Sequence, residues 1–318
     1  YSALLPIAAS EVPLLPAGGT PLLAAPTLAA RIGIGALYLK DESANPTGCL
    51  KDRATAVGVA MAAAAGHDTL YCASAGNAAI SLAGFCARAG LACHVWVPSG
   101  VAEERLERLR GFGAVIHRSS GDYDRAFDEA EAEGGRRGWH SRSCAFNPFL
   151  VEGKKTVAFE IAEQLGWAVP DLVAAPVGDG CTLAAAGKGF RELRELGRTG
   201  ALPRLLGVQA EAMQPVVRRF RGEPGGGGSG DSRAASINVR RPRNARRLLR
   251  EIDGCGGTVL AVSDDAIERA RRLLADEAGV AAEFTSAAAL AGLARLAEDG
   301  ALAEKTAVVI VTAGDRGG

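Results

Sequence analysis

The chain has 318 residues, of which 48% are apolar and 23% charged, and its 36 basic and 36 acidic residues give a formal net charge of zero. This length and composition predict a globular protein with one large domain or two smaller ones, and zero net charge argues against a protein that mainly binds nucleic acid or an anionic membrane surface. Glycine is in surplus at 41 residues, about one in eight, so many glycines must lie in turns or where backbone approaches a ligand.

Short apolar runs typical of β-strands alternate with Ala- and Leu-rich stretches typical of helices. Strands are predicted at residues 69–73, 92–97, 114–117, 171–177, 205–209, 258–262 and 306–312. Helices are predicted at residues 78–89, 102–112, 123–133, 152–165, 183–196, 263–278 and 285–299, and another begins near Asp52. Because the strands are continuous apolar runs separated by helices, the pattern predicts an α/β fold whose parallel sheets are covered on both faces.

The alternation falls into two blocks, residues 52–145 and 150–318, which meet near the turn dipeptide Asn147-Pro148. The sequence GEPGGGGSG at residues 222–230 is predicted to be a flexible surface loop. No apolar run reaches the roughly 18–20 residues of a spanning helix, so no membrane partner is expected. Seven scattered cysteines without CxxC spacing predict reduced thiols in a cytoplasmic protein, and four isolated histidines predict no metal site.

Strand-to-helix turns are the places to search for a ligand site, because ligands of open α/β sheets bind beyond the carboxyl ends of strands. The turn VGDGCT at residues 177–182 could hold a phosphate on its backbone amides and on the positive end of the next helix. It contains neither a P-loop nor a GxGxxG fingerprint, and an ordinary glycine-rich helix cap is an equal alternative. The turn ASAGNA at residues 73–78 suits a carboxylate, although Ser and Asn are also common N-cap residues.

Lys51 follows the turn Asn45-Pro46-Thr47-Gly48 and stands at the start of the predicted helix. A cation there is opposed by the helix dipole. A lysine held as an uncharged imine or amine avoids that cost, and the pKa of lysine moves readily on burial. Together with the two anion-binding turns, Lys51 fits pyridoxal phosphate (PLP) chemistry on an amino acid.

The sequence NPTGCLKDR at residues 45–53 closely resembles the NPTGSFKDR segment of threonine synthases, which are fold-type-II PLP enzymes of the tryptophan synthase β superfamily. The likeness continues through GGTPL at 18–22, SAGN at 74–77, NPFLVEGKKT at 147–156, VGDGCT at 177–182, SINVRRP at 236–242, EFTSAAA at 283–289, and residues 309–312 with Gly314. It implies two domains, each with a mainly parallel sheet flanked by helices: a larger PLP-binding domain of residues 1–51 and 146–318, and a smaller substrate-side domain of residues 52–145. It also implies a homodimer.

The resemblance assigns roles to individual residues. Lys51 would hold PLP as an imine and move the Cα proton of the substrate, and Asn77 would hydrogen-bond the PLP 3-hydroxyl. Thr312 would face the pyridine nitrogen, where a hydroxyl gives a weaker electron sink and so favours elimination and replacement over transamination. Two turns would complete the site: Ser74, Ala75, Gly76 and Asn77 around the substrate carboxylate, and Gly178, Asp179, Gly180, Cys181 and Thr182 around the PLP phosphate.

The departures from the family pattern concern the substrate. The arginine of the family's NPxR segment, which serves the phosphate of O-phosphohomoserine, falls on Leu150. An Arg–phosphate pair contributes roughly 1.5–3 kcal/mol or more, and leucine cannot replace it. We therefore expect a different amino-acid substrate, unless a basic residue such as Lys154 takes the place of the arginine. The other departures are Cys49, Leu50, Thr182 and Ala313, in place of Ser, Phe, the frequent Asn and Gly.

Three reactions are compatible with this sequence. One is γ-elimination with β-addition of water, as in threonine synthase; the others are β-replacement on an activated serine, as in cysteine or cysteate synthases, and β-elimination to a keto acid, as in serine/threonine dehydratases. A catalytically inactive PLP-binding regulatory protein is a remote alternative, against which Lys51, Asn77 and Thr312 argue. The six arginines between residues 240 and 250 are predicted to form a solvated basic helix rather than a nucleic-acid surface.

Overall fold

The computed structural model describes residues 1–7, 16–223 and 230–315, so most of the predicted glycine-rich loop at 222–230 lies outside the described residues. The strands are β1 (Leu22–Ala24), β2 (Ala36–Asp41), β3 (Thr69–Ala73), β4 (Ala92–Val97), β5 (Val115–Arg118), β6 (His140–Ser141), β7 (Leu172–Pro176), β8 (Arg204–Ala210), β9 (Thr258–Val262) and β10 (Thr306–Val311). The helices are α1 (Pro26–Ile32), α2 (Lys51–Ala64), α3 (Asn77–Ala89), α4 (Glu103–Gly111), α5 (Tyr123–Arg137), α6 (Phe149–Gln164), α7 (Cys181–Glu195), α8 (Pro215–Phe220), α9 (Ala245–Gly254), α10 (Asp264–Ala278) and α11 (Phe284–Ala297).

The strands form two sheets. The smaller sheet has the order β5-β4-β3-β6 and is parallel throughout, with Cys72 of β3 opposite Val95 of β4. The larger sheet has the order β1-β2-β10-β7-β8-β9 and is parallel except for β1, which runs antiparallel to β2 at the edge. The predicted α/β fold with mainly parallel sheets flanked by helices is therefore confirmed.

Among the described residues the chain forms two compact units. The first takes its residues from Tyr1–Gly18 and Asn45–Lys154 and contains the smaller sheet, and the second takes its residues from Gly19–Ala44 and Lys155–Arg316 and contains the larger sheet. The domain division implied by the resemblance, 1–51 and 146–318 against 52–145, stays a prediction.

The end of α5 and the start of α6 differ from the predicted helix boundaries, each for a local reason. Helix α5 was expected to end before Gly134-Gly135, but it continues to Arg137 and ends at Gly138, whose φ is 68°. Helix α5 packs so closely on β3 at Gly134 that a Cβ there would lie 2.3 Å from the Tyr71 ring. Glycine is therefore required by packing at this position and does not end the helix. Helix α6 begins at Phe149, three residues earlier than expected, because the Asn147 side chain accepts a hydrogen bond from the Phe149 amide at 3.1 Å.

None of the helices in the described part of the chain combines the length and apolar character needed to cross a bilayer. Within residues 1–7, 16–223 and 230–315, no three or more His, Cys, Asp or Glu side chains are grouped so as to hold a metal ion. The basic segment of residues 240–250, predicted as a solvated helix, is helical only from Ala245 onward, in α9, on which Arg246 and Arg250 are exposed.

The start of α6 packs directly on the start of α2, at Gly153. A Cβ on Gly153 would lie 2.0 Å from the Arg53 carbonyl oxygen and 3.0 Å from Ala54 Cα, and neither backbone atom can move without shifting α2. We therefore expect Gly153→Ala to lower the free energy of unfolding by about 2 kcal/mol. The control is Gly135→Ala in α5, where a Cβ meets nothing within 4 Å and alanine gains about 1 kcal/mol of helix propensity. Denaturant unfolding measures both, and equal effects would contradict the packing argument.

Candidate active site

Lys51 is placed by a turn that its own neighbours hold closed. Gly48 has a φ of 87°, which a non-glycine residue rarely adopts, and α2 begins at Lys51 itself. The Asp52 carboxylate accepts hydrogen bonds from the Thr47 amide at 2.6 Å and from the Thr47 hydroxyl at 2.5 Å. Because Asp52 bonds back across the turn, the direction in which the chain enters α2 at Lys51 is fixed.

The amino group of Lys51 is desolvated and lies among other cations. Burial, together with the positive charges of Lys154 and Arg142, lowers the pKa of Lys51 from 10.5 to about 8. The thiol of Cys144 and that of Cys49 act in the opposite sense. At neutral pH a larger share of Lys51 is therefore an uncharged, nucleophilic amine than in an ordinary surface lysine.

Arg142 is a buried cation of this cluster that the sequence did not single out. Its guanidinium donates to the Thr55 hydroxyl at 3.3 Å and lies 3.5 Å from the Lys51 carbonyl oxygen. Thr55 also donates to the Lys51 carbonyl at 3.0 Å and accepts from the Ser81 hydroxyl at 2.7 Å. Arg142 thus braces the first turn of α2, and no motif revealed it because its partners lie 87 and 91 residues away.

Leu150 and Lys154, the two residues expected to decide the substrate, lie on the first turns of α6. Leu150 is fully buried, and its Cδ2 would be 2.5 Å from a Cβ on Gly58, so it packs against the backbone of α2. Lys154 is 2% exposed and donates from Nζ to Cys144 Sγ at 3.1 Å. The position that carries the arginine in the family pattern is thus filled by an apolar contact in this chain.

The turn expected to hold a carboxylate connects β3 to α3. Gly76 has an extended backbone, its amide donates to the Ser74 hydroxyl at 3.2 Å, and α3 begins at Asn77. The Cys49 thiol lies 3.8 Å from the Asn77 carbonyl oxygen, which joins this turn to the turn before Lys51. The first unit therefore contains Lys51, Ser74–Asn77, Leu150 and Lys154.

The glycine loop of residues 178–182 belongs to the second unit and leads from β7 into α7, which begins at Cys181. Gly180 has a φ of 91°, and a Cβ on Gly178 would lie 3.0 Å from the Ser236 carbonyl oxygen. The Asp179 carboxylate accepts from the Arg243 amide at 2.5 Å and from the Asn244 side chain. Since Asp179 is held by these donors, the loop can offer its backbone amides and the α7 N-terminus to an anion.

Thr312 follows β10 in the second unit. Its hydroxyl lies 2.9 Å from the Ser286 hydroxyl at the start of α11. Ser286 donates to the Ala313 carbonyl at 3.0 Å and accepts from the Ala313 amide at 2.9 Å, which fixes the backbone beside Thr312. No role was predicted for Ser286, although the segment 283–289 belongs to the resemblance.

The residues of each unit fit a part of PLP. The first unit has an amine whose pKa is already lowered, which favours covalent attachment to an aldehyde. The second unit has a glycine loop at a helix N-terminus that suits a phosphate, and a hydroxyl that suits a ring nitrogen. All thirteen predicted site residues lie within the described part of the chain, and their roles stay predictions.

A cavity of 540 Å³ lies elsewhere in the second unit, between α7, α9 and the start of β8. Its polar lining consists mainly of Arg191, Arg194, Arg250 and Glu251, and Arg191 is paired with Glu251 at 3.2 Å. It contains none of the predicted site residues, so we do not place the reaction there.

The chain is similar to known proteins in sequence and in fold. The family model described as "Pyridoxal-phosphate dependent enzyme" matches residues 14–314. The threonine synthase of Methanocaldococcus jannaschii is 38% identical over 309 residues, covering 96% of this chain and 76% of that protein, and that of Mycobacterium tuberculosis is 37% identical over 317 residues, covering 99% and 86%. An L-serine ammonia-lyase from Rhizomucor miehei has a similar fold, with a TM-score of 0.82 at 23% identity over 95% of each chain.

Proposed function

This chain belongs to the family of pyridoxal-phosphate dependent enzymes, and we propose that it acts on a small amino acid other than O-phosphohomoserine. The family and its threonine synthase relatives confirm the predicted cofactor, PLP, and the class of enzyme, a PLP-dependent lyase or synthase that eliminates or replaces a substituent. The observation that carries the proposal is the burial of Leu150 against Gly58, because that position offers no donor to a substrate phosphate. We also propose a cytoplasmic homodimer, as the resemblance and the reduced thiols of the seven cysteines suggest.

When bound, PLP withdraws electrons from the substrate's Cα, so that bonds beside it can break. Lys51 would hold the cofactor covalently and then take the Cα proton on Nζ, which its lowered pKa permits near neutral pH. The turn Ser74–Asn77 would orient the substrate carboxylate, and Asn77 would hydrogen-bond the ring hydroxyl of the cofactor. The amides of Gly178–Thr182 would bind the cofactor phosphate, with Thr312 at the ring nitrogen.

The pKa of Lys51 gives a prediction for cofactor uptake. Only the neutral amine attacks an aldehyde, and a pKa of about 8 makes about one tenth of Lys51 neutral at pH 7. We expect the rate at which cofactor-free protein binds PLP covalently to rise with pH, with a midpoint near 8. Lys154→Gln removes a neighbouring positive charge and should move that midpoint upward. Stopped-flow absorbance measures both rates, and a wild-type midpoint near that of free lysine would contradict the account.

A substrate screen tests the proposal directly. Non-phosphorylated amino acids with a leaving group at Cβ or Cγ should turn over, whereas O-phosphohomoserine should release phosphate at least roughly tenfold more slowly, since a lost charged hydrogen bond costs about 1.5–3 kcal/mol. Efficient formation of threonine from O-phosphohomoserine by the wild type would refute the proposal. If that activity then disappeared in Lys154→Gln, Lys154 would be the residue that replaces the arginine.

The products of the same screen separate the three reactions. Ammonia with a keto acid indicates β-elimination, and a β-substituted amino acid formed with an added nucleophile indicates β-replacement. Threonine or a homologue formed with water indicates γ-elimination and β-addition. Absence of all products from a protein that binds PLP covalently would favour the regulatory alternative.

A further inference from the structure

The cavity between α7, α9 and the start of β8, here called the α7–α9 cavity, is lined by arginines from both helices. Arg191 and Arg194 lie three residues apart on α7 and so share one side of it, and Arg250 lies on α9. The acidic side chain of the lining, Glu251, is 8% exposed and already paired with Arg191. Within the described part of the chain, the side chains of Arg194 and Arg250 have no hydrogen-bond or ion-pair partner. Two positive charges of the cavity are thus left without a contacting counter-charge among these residues.

The helix dipoles do not account for both of these arginines. Arg194 lies in the last turn of α7, where the helix dipole favours a cation. Arg250 lies before the last turn of α9, which contains no basic residue. Since both side chains are exposed and border one cavity of 540 Å³, an anion that enters it from solvent meets both.

The rest of the lining is mainly apolar and comes from Phe190, Leu202, Pro203 and Leu205. Sites for small organic molecules typically have this volume and combine an apolar lining with a few polar groups. An inorganic ion would use the arginines but would leave the apolar lining in contact with water. The cavity therefore suits an organic anion whose acidic group contacts the arginines and whose apolar body covers the rest of the lining.

The two helices that form the cavity also form the glycine loop of residues 178–182. α7 begins inside this loop, and a Cβ on Gly180 would lie 3.3 Å from Leu248 Cβ of α9. Just before α9, the Asn244 side chain donates to Asp179. The packing of α7 on α9 therefore supports the loop near the N-terminal ends of the helices, while the cavity lies toward their C-terminal ends.

We propose that the α7–α9 cavity binds a small organic anion with an apolar body, and that this binding strengthens the hold of the glycine loop on the cofactor phosphate. An acidic group that contacts Arg194 and Arg250 joins the two helices, so it stabilises the packing on which the loop depends. Because coupling between two sites is reciprocal, bound cofactor also raises the affinity for the anion. The binding is independent of the proposed function, whereas the coupling rests on it, because the coupling needs PLP at residues 178–182.

Cys255 lines the cavity and can report its occupancy in the holoenzyme. It is partly exposed, as is Cys144, which lies in the other unit and serves as the internal control. The probes are phenyl phosphate and benzoate, which carry a phosphate or a carboxylate on a ring, and phenol, which carries no charge near neutral pH. Alkylation by iodoacetamide is mapped on the peptides by mass spectrometry. An anion at about ten times its Kd should slow the alkylation of Cys255 roughly tenfold and that of Cys144 not at all, and phenol should slow neither.

Variants locate the anion at the two arginines. Arg194→Gln and Arg250→Gln should each raise the Kd of the tighter-binding anion at least roughly tenfold, since each removes a charged hydrogen-bond donor. Arg246→Gln is the matched control, because Arg246 is exposed on α9 but does not line the cavity, and its Kd should equal that of the wild type. Calorimetry on the holoenzyme measures these constants.

The two anions distinguish the sources of the acidic group. Tighter binding of phenyl phosphate would identify the ligand as a phosphate ester, and tighter binding of benzoate would identify it as a carboxylate. If neither anion protected Cys255 at about 10 mM, the site would be refuted. It would also be refuted if Arg194→Gln and Arg250→Gln bound the anion as tightly as Arg246→Gln.

The coupling is measured as the Kd of PLP by equilibrium dialysis. With the tighter-binding anion at saturation, this Kd should fall about fivefold in the wild type and stay unchanged in Arg194→Gln. An unchanged Kd in the wild type, at an anion concentration that protects Cys255, would overturn the coupling but not the site. A raised Kd would show that the anion competes for the glycine loop and would overturn the coupling as well. If the protein did not bind PLP, the proposed function would fail together with the coupling, while the protection of Cys255 would still decide the site.

Discussion

Lys51→Ala is expected to abolish the covalent attachment of PLP and to lower turnover by at least roughly 10²–10⁴-fold. The variant removes both the amine that attacks the aldehyde and the base that takes the Cα proton, and no other residue on the first turn of α2 is a lysine. Turnover is measured with the amino acid that the substrate screen identifies, at saturating PLP. Residual PLP would remain bound by the noncovalent contacts alone.

The control for Lys51→Ala is Lys154→Gln, which removes another buried lysine of the same unit. This control should keep covalent PLP, because Lys154 donates to Cys144 and is not the amine that attacks. A PLP absorbance spectrum in Lys51→Ala that matches the wild type would contradict the role of Lys51. Loss of covalent PLP in Lys154→Gln at all pH values would show that Lys154, rather than Lys51, is the lysine that attaches the cofactor.

Glu160→Gln is expected to lower the free energy of unfolding by about 3–5 kcal/mol, because it leaves a buried ammonium without its carboxylate. Lys40 is fully buried and lies 2.7 Å from Glu160 Oε2. Lys40 also donates to the Thr20 carbonyl at 2.6 Å, and Glu160 accepts from the Gly19 amide at 2.8 Å. The pair thus fastens the GGTPL turn to β2 and α6, and denaturant unfolding should show the loss.

A double variant separates the charge from the packing. Lys40→Met combined with Glu160→Leu removes both charges, keeps similar volumes, and should recover most of the stability lost in Glu160→Gln, since apolar replacement of a buried pair is often neutral. If the double variant were as unstable as Glu160→Gln, the loss would come from the hydrogen bonds to Gly19 and Thr20 rather than from the unpaired charge.

The strands that were predicted best stand in the sequence as continuous apolar runs. β3, β4 and β9 have the predicted bounds, because a strand buried in a parallel sheet shows itself as a continuous apolar run. The sequence analysis did not predict β1, with three residues, β2, with six, or β6, with two. β1 and β6 are short edge strands that exist only because a longer strand pairs with them, and local sequence carries no sign of that partner, whereas β2 lies inside the larger sheet and its apolar run was not recognised.

The residues of the candidate site also differ in whether the sequence alone could predict them. Turn residues such as Gly48 and Gly180 could be predicted, since positive φ demands glycine at a fixed place in the sequence. Arg142 and Ser286 could not, because each acts on a residue far along the chain: Ser286 lies 26 residues from Thr312. The absence of an arginine at Leu150 was visible in the sequence, but its packing against Gly58 was not.

The attachment site of the cofactor tests the central claim most directly. The holoenzyme is reduced with borohydride, digested, and mapped by mass spectrometry for the peptide that carries the pyridoxyl group. We expect the group on Lys51, in the peptide that contains the start of α2, and on no other lysine. A pyridoxyl group on Lys154 or any other lysine, with Lys51 unmodified, would contradict the account.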